Sequence, residues 1–212
     1  VYKRQHGNDP AEWQLRTRNV RLPRSDELPL LMGIVNTTPD SFSDGGQWVP
    51  IESAVAHGLS LIEAGADILD IGGESTRPFS DPVDAKEEWR RVGEVVRILS
   101  RESDCPLSID TSKASVAKNA IENGAEIIND VTGLEGDPEM IRIARETGAG
   151  ICAMHMQGTP KTMQINPTYE NVVTEVYAYL ENQKNTFATA GIAPEKICLD
   201  PGIGFGKTHI HN

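Results

Sequence analysis

Six short apolar runs, each ending on a polar residue, constrain this chain more than any other feature. They are LLMGIVN to Asn36, DILDIGGEST to Thr76, LSID to Asp110, EIIN to Asn129, ICAMH to His155 and ICLD to Asp200. Parallel strands of an α/β protein end on one face, so the side chains at those ends converge on one pocket. The runs are near-continuous rather than alternating, as befits strands buried on both faces.

Between the runs, apolar residues recur with the 3.6 period of helices. The stretches are Ile51, Val55, Leu59, Ile62; then Ala85, Trp89, Val92, Val96, Leu99; then Val116 and Ala120, stopping at Gly124. Met140 and Ala144 mark a short fourth helix ending at Gly148, and Tyr169, Val173, Val176, Leu180 and Phe187 mark a long fifth that runs to Gly191. Glycine at these ends is a stop signal. Longer polar loops, 37–46, 75–81 and 156–161, follow strands on the opposite side, where function is expected. Six such units predict the α/β class and an incomplete (β/α)8 TIM barrel lacking strands 7 and 8, since complete ones take about 250 residues. A doubly wound open sheet satisfies the same alternation. Residues 29–212 are read as this partial barrel domain. Residues 1–28 are read as an N-terminal extension, solvated and either disordered or a short β-hairpin.

Composition narrows the function. Net charge is −11 over 212 residues, which argues against a nucleic-acid binder. Residues 1–24 run the other way, with six basic residues against Asp9 and Glu12; those acids and Pro10 weaken a transit-peptide reading. No apolar run is long enough for a bilayer, and the first 30 residues lack the apolar core of a signal peptide. Cys105, Cys152 and Cys198 lack C-x-x-C spacing and read as reduced thiols of a cytoplasmic protein. The chain begins at Val1 without an initiator Met and stops at Asn212 just after a glycine-rich turn, which reads as a fragment.

Several motifs fail on spacing. PGIGFGKT (201–208) has proline where a P-loop needs its first glycine, and its third glycine falls one residue early for a dinucleotide fingerprint. The first strand lacks the H-x-H of metal-dependent amidohydrolases, and His209 and His211 read as solvent-exposed. His155 reads as a hydrogen-bonded near-core histidine. Asp70, between Leu69 and Ile71, points inward, where structural hydrogen bonding and catalysis are equally open. Asp110, Asn129 and Asp200 close their runs and offer carboxylate and amide groups without a nucleophile–base pair. Such a set suits a ligand edge bearing N–H donors.

These residues closely resemble dihydropteroate synthases. MGIVNTTPDSFSDGG (32–46) and GADILDIGGESTRP (65–78) look like the two signatures of that family, and SIDTSK, IINDVTG, MHMQGTPKTMQ and LDPGIGFGK follow in family order. The resemblance covers residues 30–212. It implies a folate-pathway transferase that joins para-aminobenzoate to 6-hydroxymethyl-7,8-dihydropterin pyrophosphate, giving 7,8-dihydropteroate and pyrophosphate, with Mg²⁺ as cofactor and a homodimer as the full-length assembly. By similarity Asp110, Asn129, Met154 and Asp200 hold the pterin, and Thr76 and Arg77 the pyrophosphate. Asn36 helps hold Mg²⁺, while Asp44 and Phe205 line the aminobenzoate region. The family continues through a Ser-Arg-Lys run and an Arg-x-His that these 212 residues do not contain, and Lys207 does not match that lysine. The 212-residue chain alone is therefore expected to be inactive and poorly folded. A non-catalytic pterin-binding module and a methyltetrahydrofolate–corrinoid methyltransferase are the alternatives.

Overall fold

Strand pairing decides between the two architectures that alternation leaves open. The computed structural model describes residues 11–38, 51–75 and 80–212. A hairpin, β1 (Glu12–Gln14) and β2 (Asn19–Arg21), precedes β3 (Met32–Asn36), α1 (Ile51–Glu63), β4 (Ile68–Gly72), α2 (Ala85–Glu102), β5 (Leu107–Asp110) and α3 (Ala114–Glu122). Then come β6 (Ile127–Asp130), α4 (Met140–Thr147), β7 (Gly150–Met154), α5 (Val172–Thr189) and β8 (Ile197–Asp200). Strands β3 to β8 pair in strict sequence order, and every pair is parallel. A doubly wound sheet reverses its strand order at a switch point. The described strands show no reversal, so they are six consecutive staves of a (β/α)8 barrel, and the open-sheet reading falls away.

The near-continuous hydrophobicity of the strands serves two separate cores. Outward residues Val35, Leu69, Ile71, Leu107, Ile109, Ile128 and Ile151 pack under helices through Val92, Val96, Leu99, Ala117 and Ile121. Inward residues Ile68, Ile127 and Cys152 form a second cluster with Trp13 and Leu15 of the hairpin region. The three cysteines are free thiols, with Cys152 buried.

The described part of the N-terminal segment takes the β-hairpin form of the two expected, and it is docked on the barrel through Trp13 and Leu15 rather than solvated throughout. The Trp13 indole donates to the Lys196 carbonyl at 3.0 Å, and Trp13 and Leu15 are buried against the base of the barrel. Arg18 pairs with the buried Glu126 at 2.7 Å, which anchors part of the basic excess to protein rather than solvent. Sequence periodicity had no access to this contact, because the partners lie more than a hundred residues away.

The fifth helix also departs from its expected pattern. It starts at Val172, after Asn171, whose side chain caps the Thr174 amide, so Tyr169 lies in the preceding loop. Val173 is exposed, and the buried stripe runs through Val176, Gln183 and Phe187. Gln183 is tolerated there because its amide donates to the Tyr179 hydroxyl at 3.0 Å. Elsewhere the helix ends conform: Gly148 closes α4 in the left-handed region at φ 68°, accessible to glycine without a Cβ clash.

Because Trp13 closes the base of the inner core, truncating it leaves a cavity there. Trp13→Ala is expected to lower unfolding free energy by about 3–5 kcal/mol, read from urea denaturation. A midpoint unchanged from wild type would show that the hairpin is not part of the cooperative fold.

Candidate active site

The register of the six strands brings their ends together. Asn36 stands opposite Gly72, Gly72 opposite Asp110, Asp110 opposite Asn129, and Met154 opposite Asp200. Asn36, Asp110, Asn129, Met154 and Asp200, with Phe205 from the turn after β8, line one cleft of about 320 Å³. Six of the residues singled out in the sequence therefore share a cavity. Thr76, Arg77 and Asp44 lie outside the described residues, as do parts of the 37–46 and 75–81 loops. A larger hollow of about 600 Å³ is lined by Thr168, Tyr169, Glu170, Asn171, Thr174 and Glu175. Those six come from one stretch of chain, so no strand ends converge there.

Gly72 is the gap that gives the cleft its floor. A methyl group placed on it would sit 3.4 Å from Asn36 Oδ1 and 3.5 Å from Asp110 Oδ2, so both oxygens lean over the bare glycine. With no side chain at position 72, Asp70 is exposed to the cleft from one layer below. Asn129 donates its Nδ2 to Asp70 Oδ2 at 3.0 Å, which fixes the amide and leaves its Oδ1 free to accept. One carboxylate oxygen of Asp200 accepts from the Gly202 amide at 2.7 Å, which orients the group and leaves the second oxygen for a ligand. Asp70 thus has both a structural partner and a place in the cavity wall. The signal for it was the period-2 spacing from Gly72.

One strand-end expectation and the exposure expected of His211 are corrected, while the reading of His155 as a hydrogen-bonded near-core histidine holds. His155 ends the seventh strand's run, but Met154 is the residue that faces the cleft. The His155 ring is buried against Tyr179 at 4.9 Å between centroids. His211 is half-buried rather than exposed, packed edge-on to Tyr169 at 4.9 Å, while His209 is exposed.

Cleft electrostatics favour a donor ligand. Burial pushes the Asp110 carboxyl well above its usual range, and the nearby carboxylates of Asp70, Asp130, Glu88 and Glu74 push it the same way. Burial also raises Asp70, against the hydrogen bond from Asn129, and lifts Asp130 to about 6. A ligand offering N–H groups would relieve this strain by hydrogen-bonding the ionised forms. Among the described residues, basic side chains sit beside the cleft rather than in its lining. Lys113 bridges Glu74 and the fully buried Glu88, and Glu74 also accepts the Val83 amide at 3.2 Å, so the residues flanking the 75–82 loop are pinned together. Sequence reading missed this tie, which joins three elements through side chains far apart in the chain.

Comparison with known proteins shows the family. The family model for pterin-binding enzymes covers residues 32–212. The chain belongs to the pterin-binding enzyme family. It is 50% identical over 188 residues to the dihydropteroate synthase of Neisseria meningitidis serogroup C, covering 88% of this chain and 66% of that protein. Among solved structures, the Xanthomonas albilineans dihydropteroate synthase with 4-aminobenzoic acid superposes with a TM-score of 0.86 at 42% identity, covering 96% of this chain and 71% of that one. The Burkholderia cenocepacia dihydropteroate synthase complexed with 7,8-dihydropteroate gives 0.80 at 42% identity, covering 94% and 66%. The chain spans about two thirds of the length of these curated relatives.

The cleft is strained by its own carboxylates, and the sign of the effect is testable. Asp110 has a folded pKa above its ordinary 3.8, so its contribution to stability is full below that value and is lost as pH rises through the folded pKa. Asp110→Asn is therefore expected to gain about 1–3 kcal/mol over wild type at neutral pH, and to lose that advantage in acid. Urea denaturation between acid and neutral pH reads the difference; a gap independent of pH would refute the electrostatic account.

Proposed function

We propose that the whole protein is a dihydropteroate synthase, and that the cleft in these 212 residues is its pterin site. The observation that carries the reading is the convergence of Asp110, Asn129 and Asp200 as hydrogen-bonding groups around Met154 and Phe205 in one cavity. A pterin is flat, with an edge of adjacent N–H donors. The free oxygen of Asp200 and its tethered partner suit the 2-amino and ring N–H pair, because a carboxylate accepts two parallel N–H bonds. Asp110 and Asn129 meet other ring edges, and Met154 packs on a ring face.

The reaction proposed for the whole protein breaks the C–O bond between the pterin methylene and pyrophosphate and forms a C–N bond to para-aminobenzoate, whose amine loses a proton. Pyrophosphate leaves with the bonding electrons, and the methylene cation is conjugated with the pterin ring. No protein nucleophile is needed, and the described residues that line the cleft offer no nucleophile–base pair. Holding the reactants in line supplies much of the acceleration. Thr76 and Arg77 are assigned to the pyrophosphate, and Asp44 and Phe205 to the entry of the aminobenzoate.

Magnesium fits the donor set. Asn36 Oδ1 and Asp110 Oδ2 are hard oxygens on either side of Gly72. The described residues contain no cluster of three His, Cys, Asp or Glu that would hold a metal alone. Mg²⁺ keeps several waters and is commonly held by few protein oxygens together with substrate phosphates. Asn36 is the residue assigned to it, and the ion when bound would offset charge on the leaving pyrophosphate. No helix among the described residues is long and apolar enough to cross a membrane. The cytoplasm as location and a homodimer as assembly follow from the family resemblance.

Binding and turnover, both measured on the whole protein, are separate tests. Calorimetry with 6-hydroxymethylpterin is expected to show binding that Asp200→Ala weakens roughly ten- to hundred-fold, the loss of charged hydrogen bonds. Equal affinity of the variant would remove Asp200 from the site. In the whole protein, failure to form a product in which the pterin methylene carbon is bonded to the para-aminobenzoate nitrogen would argue against the synthase reaction.

A further inference from the structure

Lys207 closes the glycine-rich turn after β8, and its side chain has no place in the cleft. It is 4% exposed. Its ammonium donates to the carbonyls of Gly202 and Phe205, each at 3.0 Å, and to that of His155 at 3.4 Å; His155 Nδ1 lies 3.0 Å away. Three carbonyl oxygens and a ring nitrogen surround the charge, with no carboxylate among them. Burying an ammonium is costly unless it is closely caged, so such a cage points to what it holds in place.

What it holds is the segment that presents two cleft residues. The Gly202 amide donates to Asp200 Oδ1 at 2.7 Å, while the Gly202 carbonyl accepts from Lys207. The Phe205 amide donates to that same Gly202 carbonyl at 3.0 Å, and the Phe205 carbonyl accepts from Lys207. The turn is pressed hard against the end of β7. At Gly202, with φ +67°, a Cβ would fall 2.1 Å from the His155 carbonyl oxygen, so only glycine fits. The His155 amide in turn donates to the Asp200 carbonyl at 2.9 Å. One cation thus ties together the end of β7, the orientation of the Asp200 carboxylate and the loop carrying Phe205.

We propose that Lys207, with neutral His155 as its acceptor, is a positioning residue whose caged ammonium fixes Asp200 and Phe205 at the cleft. Only the ligand readout rests on the reading of the cleft as a pterin site. Burial holds the His155 pKa down, in keeping with a ring nitrogen that accepts rather than donates.

The test pairs Lys207→Ala with hydrogen exchange, calorimetry with 6-hydroxymethylpterin, and methylammonium as a chemical substitute for the lost group. The amides of Gly202 and Phe205 are expected to exchange at least about ten-fold faster, with Ile128 and Ile151 in the sheet unchanged. Pterin affinity is expected to fall by about ten-fold or more. Methylammonium is expected to restore both in Lys207→Ala, and neither in Lys207→Met, whose stem fills the space. Unchanged loop protection, protection lost evenly across the sheet, or no rescue would each overturn the proposal. So would unfolding of both variants, because a local clasp leaves the sheet intact. If wild type binds no pterin, the functional reading of the cleft fails, and exchange with its methylammonium rescue alone judges the clasp.

Discussion

The register of parallel pairing is the constraint on which the site depends. Each strand contributes inward side chains at alternate positions, so a shift of one residue would send an entire set to the helix side. In the observed register the bare backbone of Gly72 lies between Asn36 and Asp110, and Asn129 stands next to Asp110. A side chain at position 72 would fill the floor of the cleft and cover Asp70. The missing side chain therefore matters as much to the site as the polar ones around it.

That arrangement concentrates carboxylates where water is scarce. Asp70 and Asp110 both have raised pKa values, with burial as the leading cause. In a structural core this would be a plain cost. At the mouth of a barrel it creates a preference for donors, since an N–H-bearing ligand supplies the hydrogen bonds that the ionised groups lack. The same logic explains why Asn129 is tethered to Asp70 and Asp200 to the Gly202 amide. Each group has one atom fixed by protein and another left over.

Behind the cleft, cations act as fasteners. Lys113 joins Glu74 to Glu88, and Lys207 joins the turn after β8 to the end of β7. Both sit at strand-to-helix or strand-to-loop junctions, where the backbone leaves regular pairing and needs other partners. The functional face is thus built from loop segments tied to the ends of strands, a common way to place reactive groups. At the opposite end, Trp13 and Leu15 close the inner core, so one end of the barrel is packed and the other is left for chemistry.

Much of this was legible in the amino-acid order. The near-continuous apolar runs located all six parallel strands, and their terminal residues located Asn36, Asp110, Asn129 and Asp200, because local burial and strand polarity are written in consecutive residues. The runs did not show which of Met154 and His155 faces inward, since a run apolar on both faces carries no alternation to read. They put Asp70 on the inward face, two residues before Gly72, but did not show that it reaches the cleft, which depends on position 72 of the same strand having no side chain to cover it. The helix face of α5, the burial of the hairpin and the cages around Lys113 and Lys207 were equally hidden. Each joins residues from separate elements, and such contacts exist only once the strands have paired. Sequence alone thus determined which segments form strands and which of their ends are polar; only the tertiary structure decided what each polar group touches, because that is fixed by neighbours distant in the chain.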